Sequence, residues 1–217
     1  MGTSIKVAIV DYSIGNLYSV KKACEKVGLD ATITSDRSFI EKSDALILPG
    51  VGAFGSAMNN LSEYDLIDCI KVYVKTGKCV MGVCLGMQLL METSSEFGTQ
   101  QGLGLIKGNC QRFHEGGRIK IPQIKWNTIY APDGETAFDP KSPLKGLISG
   151  SYMYFVHSYY VKPTDPKDIL SLTEYSDFEY CSSVKKDNII GFQFHPEKSG
   201  DYGLLIYNNF KNMIKND

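Results

Sequence analysis

The pentapeptide Gly82-Val83-Cys84-Leu85-Gly86 sets a thiol between two small residues. A nucleophile on a tight strand-to-helix turn needs such neighbours, because the backbone there is strained and crowded. The turn carries the side chain clear of the sheet, and the positive end of a following helix favours a thiolate. The backbone N–H of Leu85 then points to where an oxyanion forms. In isolation the same five residues equally describe a buried structural cysteine in a glycine-containing turn.

A cysteine nucleophile needs a base, and the chain has three histidines. His195 ends the apolar run Ile189 to Phe194 and precedes Pro196-Glu197. That places it at the C-terminal end of a strand, the edge where open α/β sheets bind ligands. Glu197 is close enough in sequence to reach back and fix the imidazole tautomer. Alone, the pair is also a histidine beside a turn with a surface glutamate. His157, in Tyr154-Phe155-Val156-His157-Ser158-Tyr159, has aromatic neighbours and no nearby carboxylate, so it reads as structural or as a substrate wall. His114 adjoins Glu115-Gly116-Gly117, an expected exposed turn, and receives no role.

The third feature is Leu48-Pro49-Gly50-Val51-Gly52-Ala53-Phe54. Its glycines permit positive φ and a close approach of backbone to ligand, so it could supply a second oxyanion donor. It lacks the GK[ST] ending of a phosphate-binding loop and the spacing of a dinucleotide fingerprint, and by itself reads as a plain βα turn.

These residues need a scaffold, and the first half of the chain supplies alternating strand and helix patterns. Strands are expected at Ile5–Val10, Ala31–Thr34, Asp44–Leu48 and Cys79–Val83. Helices are expected at Leu17–Val27, with Asn16 as cap, at Phe54–Leu61, at Leu66–Val74 and at Leu85–Glu92. Repeated βα units imply a parallel sheet covered on both faces. After Thr93 the pattern turns β-rich, with runs at 108–113, 126–130, 152–161, 169–175, 179–185 and 189–194, then a last helix near 202–214. Residues 131–146, with three prolines and two glycines, read as a surface excursion. No repeat or linker appears, so residues 1–217 are read as one three-layer α/β domain with an added antiparallel section.

The composition fits that picture. The chain has 217 residues, 43% hydrophobic and 22% charged, which excludes a disordered or low-complexity protein. A net charge of −1 gives no sign of nucleic acid or an anionic membrane as partner. The longest near-apolar run, Val80–Met91, is too short to span a bilayer. Met1-Gly2 opens like an acylation site, but Lys6 stands where Ser or Thr is needed. Six cysteines without a CxxC pair, a zinc pattern or an export signal predict a reduced, cytoplasmic protein with no metal.

In this order, the three segments resemble the class I (triad) glutamine amidotransferases, over essentially the whole chain. Gly82 to Gln88 is similar to that family's nucleophile motif and His195-Pro196-Glu197 to its histidine and glutamate. Pro49 to Phe54, Tyr154 to Tyr159, Phe192 to Ser199 and Asp11 to Leu17 resemble, within the class, the glutaminase subunits of imidazole glycerol phosphate synthases. The resemblance implies a flavodoxin-like, mostly parallel central sheet and no cofactor. It implies that Cys84 attacks glutamine with His195 as base and Glu197 orienting it. Leu85 and the Gly50-Val51-Gly52 segment hold the oxyanion, the latter after reorienting. Gln88, Ser158 and Tyr159 hold substrate. It further implies a heterodimer with a (β/α)₈ cyclase that consumes the ammonia, contacted through Asn16, Gln123, Lys125, Trp126, Tyr154 and Lys198.

One stretch departs. The family pattern Pro-His-Met-Gly-Trp-Asn is here Pro122-Gln123-Ile124-Lys125-Trp126-Asn127. Expected at the partner face, the change raises a second reading, a paralogue supplying ammonia for amidino groups on a bacterial surface sugar. A γ-glutamyl hydrolase on the same fold is a third, opposed by the matches at Gly50-Val51-Gly52 and at 154–159.

Overall fold

A computed structural model describes residues 4–114 and 120–216. The turn expected at 115–117 and the Met1-Gly2 start lie outside the described residues. In chain order the elements begin β1 (Lys6–Val10), α1 (Leu17–Lys26), β2 (Asp30–Thr34), α2 (Arg37–Lys42), β3 (Ala45–Leu48), α3 (Phe54–Glu63), α4 (Leu66–Lys75) and β4 (Val80–Val83). There follow α5 (Leu85–Leu89), β5 (Met91–Ser94), β6 (Gln100–Gln101), β7 (Ile106–Arg112), β8 (Gln123–Ile129), β9 (Ser151–His157), β10 (Tyr159–Pro163), β11 (Ile169–Tyr175), β12 (Phe178–Lys186), β13 (Ile189–Phe192) and α6 (Gly200–Asn216).

The main sheet runs β2-β1-β3-β4-β13-β12-β10-β7-β5-β6, with β11 on β12. Its first five strands are parallel. From β12 onward the pairing is antiparallel except for β5 on β7. The central strands β3, β4 and β13 are buried throughout, as strands covered on both faces must be. Alternate side chains divide between two cores. Val7, Ile9, Ile47, Met81, Val83 and Phe192 pack with α1 and α6. Ala8, Val10, Leu46, Leu48, Val80 and Ile189 pack with α3 and α4. This is a three-layer α/β architecture with an antiparallel section, plus a separate β8–β9 ribbon.

Several expectations change. The helix expected over Leu85–Glu92 stops at Leu89, and Met91–Ser94 becomes a strand. Its carbonyls are taken instead by the returning chain: Leu103 N–H donates to Leu89, Leu105 and Ile106 to Leu90, and Gly104 to Met91. The run 152–161 is two strands, broken at Ser158. Asn16 precedes α1 but makes no side-chain cap, its backbone lying outside the extended geometry a cap needs. The excursion at 131–146 is not wholly surface: Phe138 and Leu144 are buried in the α1/α6 core. Helix α2 carries no apolar stripe in the sequence; Asp36 starts it by accepting from the Ser38 N–H at 2.8 Å.

Candidate active site

Adjacent parallel strands deliver the three segments to one edge. Leu48 of β3 pairs with Gly82 of β4, and Gly82 with Gly191 of β13. The loop after β3, Cys84 after β4 and His195 beyond β13 therefore emerge side by side.

Cys84 sits at φ 53°, ψ −108°, a conformation side chains rarely adopt. Its neighbours must be small. A Cβ on Gly86 would land on the Leu48 carbonyl oxygen, and one on Gly82 would lie 2.8 Å from the Met87 nitrogen. The Cys84 N–H donates to the Phe192 carbonyl at 2.7 Å, locking the turn to β13. Helix α5 is one short turn, so a helix macrodipole adds less to thiolate stability here than the sequence suggested. None of the six cysteines forms a disulfide among the described residues. Burial, with Glu25 adding, pushes Cys24 up to about 12, and burial raises Cys110 and Cys181 as well. Those thiols stay protonated and unreactive.

His195 is buried and its Nδ1 lies 2.7 Å from Glu197 Oε1, whose side chain is equally buried. A carboxylate only accepts, so Nδ1 carries the proton and Nε2 is the nitrogen that exchanges one. Nε2 has no hydrogen-bond partner among the described residues, which leaves it available to Cys84. Burial alone pushes the imidazole down. The charge of nearby Cys84 and the hydrogen-bonded Glu197 carboxylate outweigh it and raise the pKa to about 10. The rival His157 is committed on both nitrogens. Its Nδ1 is 2.8 Å from the Tyr159 carbonyl and its Nε2 3.2 Å from the Tyr180 hydroxyl. Burial drives its pKa to about 4 and holds it neutral. It packs tilted against the Phe113, Phe155 and Tyr180 rings.

That shift has a consequence for stability. A histidine at 6.5 unfolded and about 4 folded leaves the unfolded chain binding the extra proton between those values. Stability therefore falls as pH drops from about 6.5 to 4, by an amount on the order of 3 kcal/mol. His195 contributes in another window, its stabilisation being complete below 6.5 and lost as pH rises toward 10. Urea melts at pH 7 and 4.5 on the wild type and on His157→Gln should show the acid loss shrinking in the variant. An equal acid loss in both would remove His157 as its cause.

A cavity of about 270 Å³ opens above the thiol. Val51, Gly52, Cys84, Leu85, Gln88, Ser158 and Tyr159 line it, so the segments the sequence singled out do meet. Glu96 and Pro122 also line it and were not anticipated. Glu96 accepts from the Phe54 N–H at the start of α3, and nothing in Ser94-Ser95-Glu96-Phe97 marks it out. The glycine loop is turned the other way from an open oxyanion site. The Gly50 carbonyl accepts from the Leu85 N–H at 3.3 Å, and the Tyr12 hydroxyl donates to the Pro49 carbonyl at 2.5 Å.

The β8–β9 ribbon borders the site. The His195 N–H donates to the Tyr154 carbonyl. Trp126 stands edge-on to Tyr154, and the Lys198 ammonium lies over the Tyr154 ring. Asn16, Trp126 and Lys198 are exposed around the triad. Gln123 is not on that outward face, whereas Lys125 is exposed on the opposite side of the ribbon from Trp126. Gln123 pairs with His157, is fully buried, and meets the Tyr180 hydroxyl at 2.9 Å. Lys125 pairs with buried Phe155 and lies over the Tyr175 ring. Strand alternation sets 123, 125 and 127 on one face of the ribbon and 124 and 126 on the other; Gln123 and Asn127 are buried there, while Lys125 stays exposed. Among the described residues no cluster of metal-ligating side chains occurs, and no helix is long and apolar enough to cross a membrane.

The model of the class-I glutamine amidotransferase family matches residues 8–212. Solved structures agree on the fold. PurLQS from Thermotoga maritima superposes with a TM-score of 0.73 at 18% identity, covering 97% of this chain and 99% of that one. The acivicin-bound glutaminase domain of Trypanosoma brucei CTPS gives 0.66 at 15% identity, covering 99% and 95%. Fold, edge and triad define the class, and the chain belongs to the class-I glutamine amidotransferases. It is 43% identical over 209 residues to imidazole glycerol phosphate synthase subunit HisH of Aquifex aeolicus, covering 95% of this chain and 96% of that one. The HisH proteins of Caldanaerobacter subterraneus subsp. tengcongensis and Sulfurimonas denitrificans are each 46% identical, covering 96% and 94% of this chain and 98% and 96% of theirs. Within the class it belongs with these HisH subunits.

Proposed function

We propose that this chain is the glutaminase subunit of an imidazole glycerol phosphate synthase. The observation that carries the reading is Cys84 held at positive φ beside a His195–Glu197 pair bonded at 2.7 Å, in a chain at least 43% identical to these HisH proteins over nearly its full length. In this reading Cys84 attacks the glutamine carboxamide. His195 Nε2 takes the thiol proton and returns it to the leaving ammonia, and Glu197 orients the ring. Water then cleaves the γ-glutamyl thioester to glutamate. Gln88, Ser158 and Tyr159 hold the substrate. The Leu85 N–H is occupied by Gly50, so the oxyanion site forms only after the 50–51 peptide turns its N–H inward. A missing oxyanion donor lowers turnover by roughly 10²–10³, so the chain alone should be slow.

The partner in this reading is a (β/α)₈ cyclase, in the cytoplasm, docked on the face that carries Asn16, Trp126, Tyr154 and Lys198. Its seat beside the triad supports direct ammonia transfer. In the departure at 122–127, Gln123 is buried, while the added charge of Lys125 is exposed on the ribbon face opposite Trp126, over the Tyr175 ring. The surface-sugar reading therefore keeps the exposed Lys125 as the observation that raises it.

The test is glutamine hydrolysis by the chain alone and with the histidine-pathway cyclase of the same organism and its nucleotide ligand. The expected result is a rise on the order of 10² or more, weakened roughly tenfold in cyclase affinity by Trp126→Ala. Hydrolysis that stays basal, with Cys84 still labelled by an electrophilic glutamine analogue, would assign the chain another partner.

A further inference from the structure

Gln193 lies between β13 and His195, wholly buried, with its backbone N–H held by the Ser182 carbonyl at 2.9 Å. It does not line the cavity. Its side chain nevertheless reaches the reacting sulfur: Nε2 lies 3.7 Å from Cys84 Sγ, a normal N–H···S separation. The other end of the same amide, Oε1, accepts from Gln88 Nε2 at 3.1 Å. Gln88 gives a second N–H to the Tyr159 carbonyl at 3.0 Å.

An amide can turn over and exchange its oxygen for its nitrogen, so a buried one needs something to fix its sense. Here each bond fixes the next. The Cys84 Sγ directs its own proton to the Val156 carbonyl at 3.8 Å and accepts from Gln193, so the Gln193 NH₂ faces Cys84 and its oxygen faces Gln88. That oxygen and the Tyr159 carbonyl only accept, so they claim both N–H groups of Gln88. The Gln88 carbonyl oxygen is then the one polar atom of that amide left for the cavity it lines.

We propose that Gln193 is a further positioning residue for the glutaminase reaction, with two linked tasks. It donates to the Cys84 thiolate, and through its oxygen it holds Gln88 with a carbonyl acceptor toward the substrate. An acceptor at that place suits the ammonium of an amino-acid substrate and repels a carboxylate. The inference rests on the proposed glutaminase reading for the substrate, but its thiolate half does not depend on it.

Two variants test it. Gln193→Met keeps the volume and removes both polar ends. Gln193→Asn keeps a buried amide but withdraws it by one methylene. The first readout is alkylation of Cys84 by iodoacetamide at neutral pH, site-resolved by mass spectrometry, on protein whose melting curve shows it folded. Losing a hydrogen bond to a charged sulfur should slow alkylation roughly tenfold in both variants. Val72→Ala, an exposed position of α4, is the control and should alkylate within about twofold of wild type. The second readout is glutamine hydrolysis with the cyclase present. Gln88→Met should mainly raise KM, whereas the Gln193 variants should raise KM and lower kcat together. Alkylation within twofold of wild type in a folded Gln193 variant would overturn the proposal. A wild-type chain that alkylates normally and hydrolyses no glutamine would instead overturn the glutaminase reading, with the alkylation comparison still deciding the thiolate contact.

Discussion

Cys84→Ala should abolish glutamine hydrolysis, by a factor of roughly 10⁴ or more, and leave the fold in place. The chemistry requires the first half of that statement. Without sulfur no thioester forms, and His195 has nothing to activate. Packing gives the second half. The Cys84 side chain makes only weak sulfur contacts, with the Val156 carbonyl at 3.8 Å and Gln193 at 3.7 Å. The bond that locks the turn is the backbone one from Cys84 to Phe192, which alanine keeps. The melting temperature should therefore move by only a few degrees. A variant that still hydrolyses glutamine at a measurable fraction of the wild-type rate would remove Cys84 as nucleophile. The other buried thiols cannot substitute, since Cys24, Cys110 and Cys181 are held protonated by burial.

The site was legible in the sequence where the main chain alone dictates it. Small residues around Cys84, an apolar run ending at His195 and a carboxylate two positions on describe local geometry, and neighbouring parallel strands then bring them together. The limits appear where tertiary contacts decide. Residues 85–92 have helical periodicity, but the 102–106 segment takes the carbonyls of Leu89, Leu90 and Met91 and stops the helix. Gln123 and Lys125 sit in a departure from the family pattern, yet the pleat sets both on the ribbon face opposite Trp126, where Gln123 is buried and Lys125 exposed, which the register against His157 and Phe155 reveals. Glu96 and Gln193 reach the cavity and the thiol only through the fold. The resting sense of the 50–51 peptide is decided by the Leu85 N–H and no residue type encodes it alone. The expected Asn16 cap fails for a similar reason: the type is right, and the backbone geometry is wrong.

Gly86→Ala should destabilise the chain by about 3 kcal/mol or more and disable the site while every catalytic side chain remains. The backbone angles of Gly86 are ordinary, so left-handed strain is not the reason. The reason is distance. An added Cβ would occupy the place of the Leu48 carbonyl oxygen, and that oxygen belongs to β3, buried in the middle of the sheet. Backbone on both sides cannot yield as a flexible side chain does, so α5 must lift away from β3. Cys84 and Leu85 ride on that turn. A displacement near 1 Å at the nucleophile costs roughly 10² in rate, and the Leu85 N–H leaves its place beside the glycine loop. The expected reading is a melting temperature about 10 °C lower and hydrolysis with the cyclase reduced at least 10²-fold. Gly55→Ala is the matched control. It lies in α3, where alanine is the better helix former, and its Cβ would meet only the Gln100 side-chain amide at 3.3 Å. That variant should melt within a few degrees of wild type. Equal melting temperatures for the two variants would show that β3 and α5 are not in the close contact that holds Cys84 at its turn.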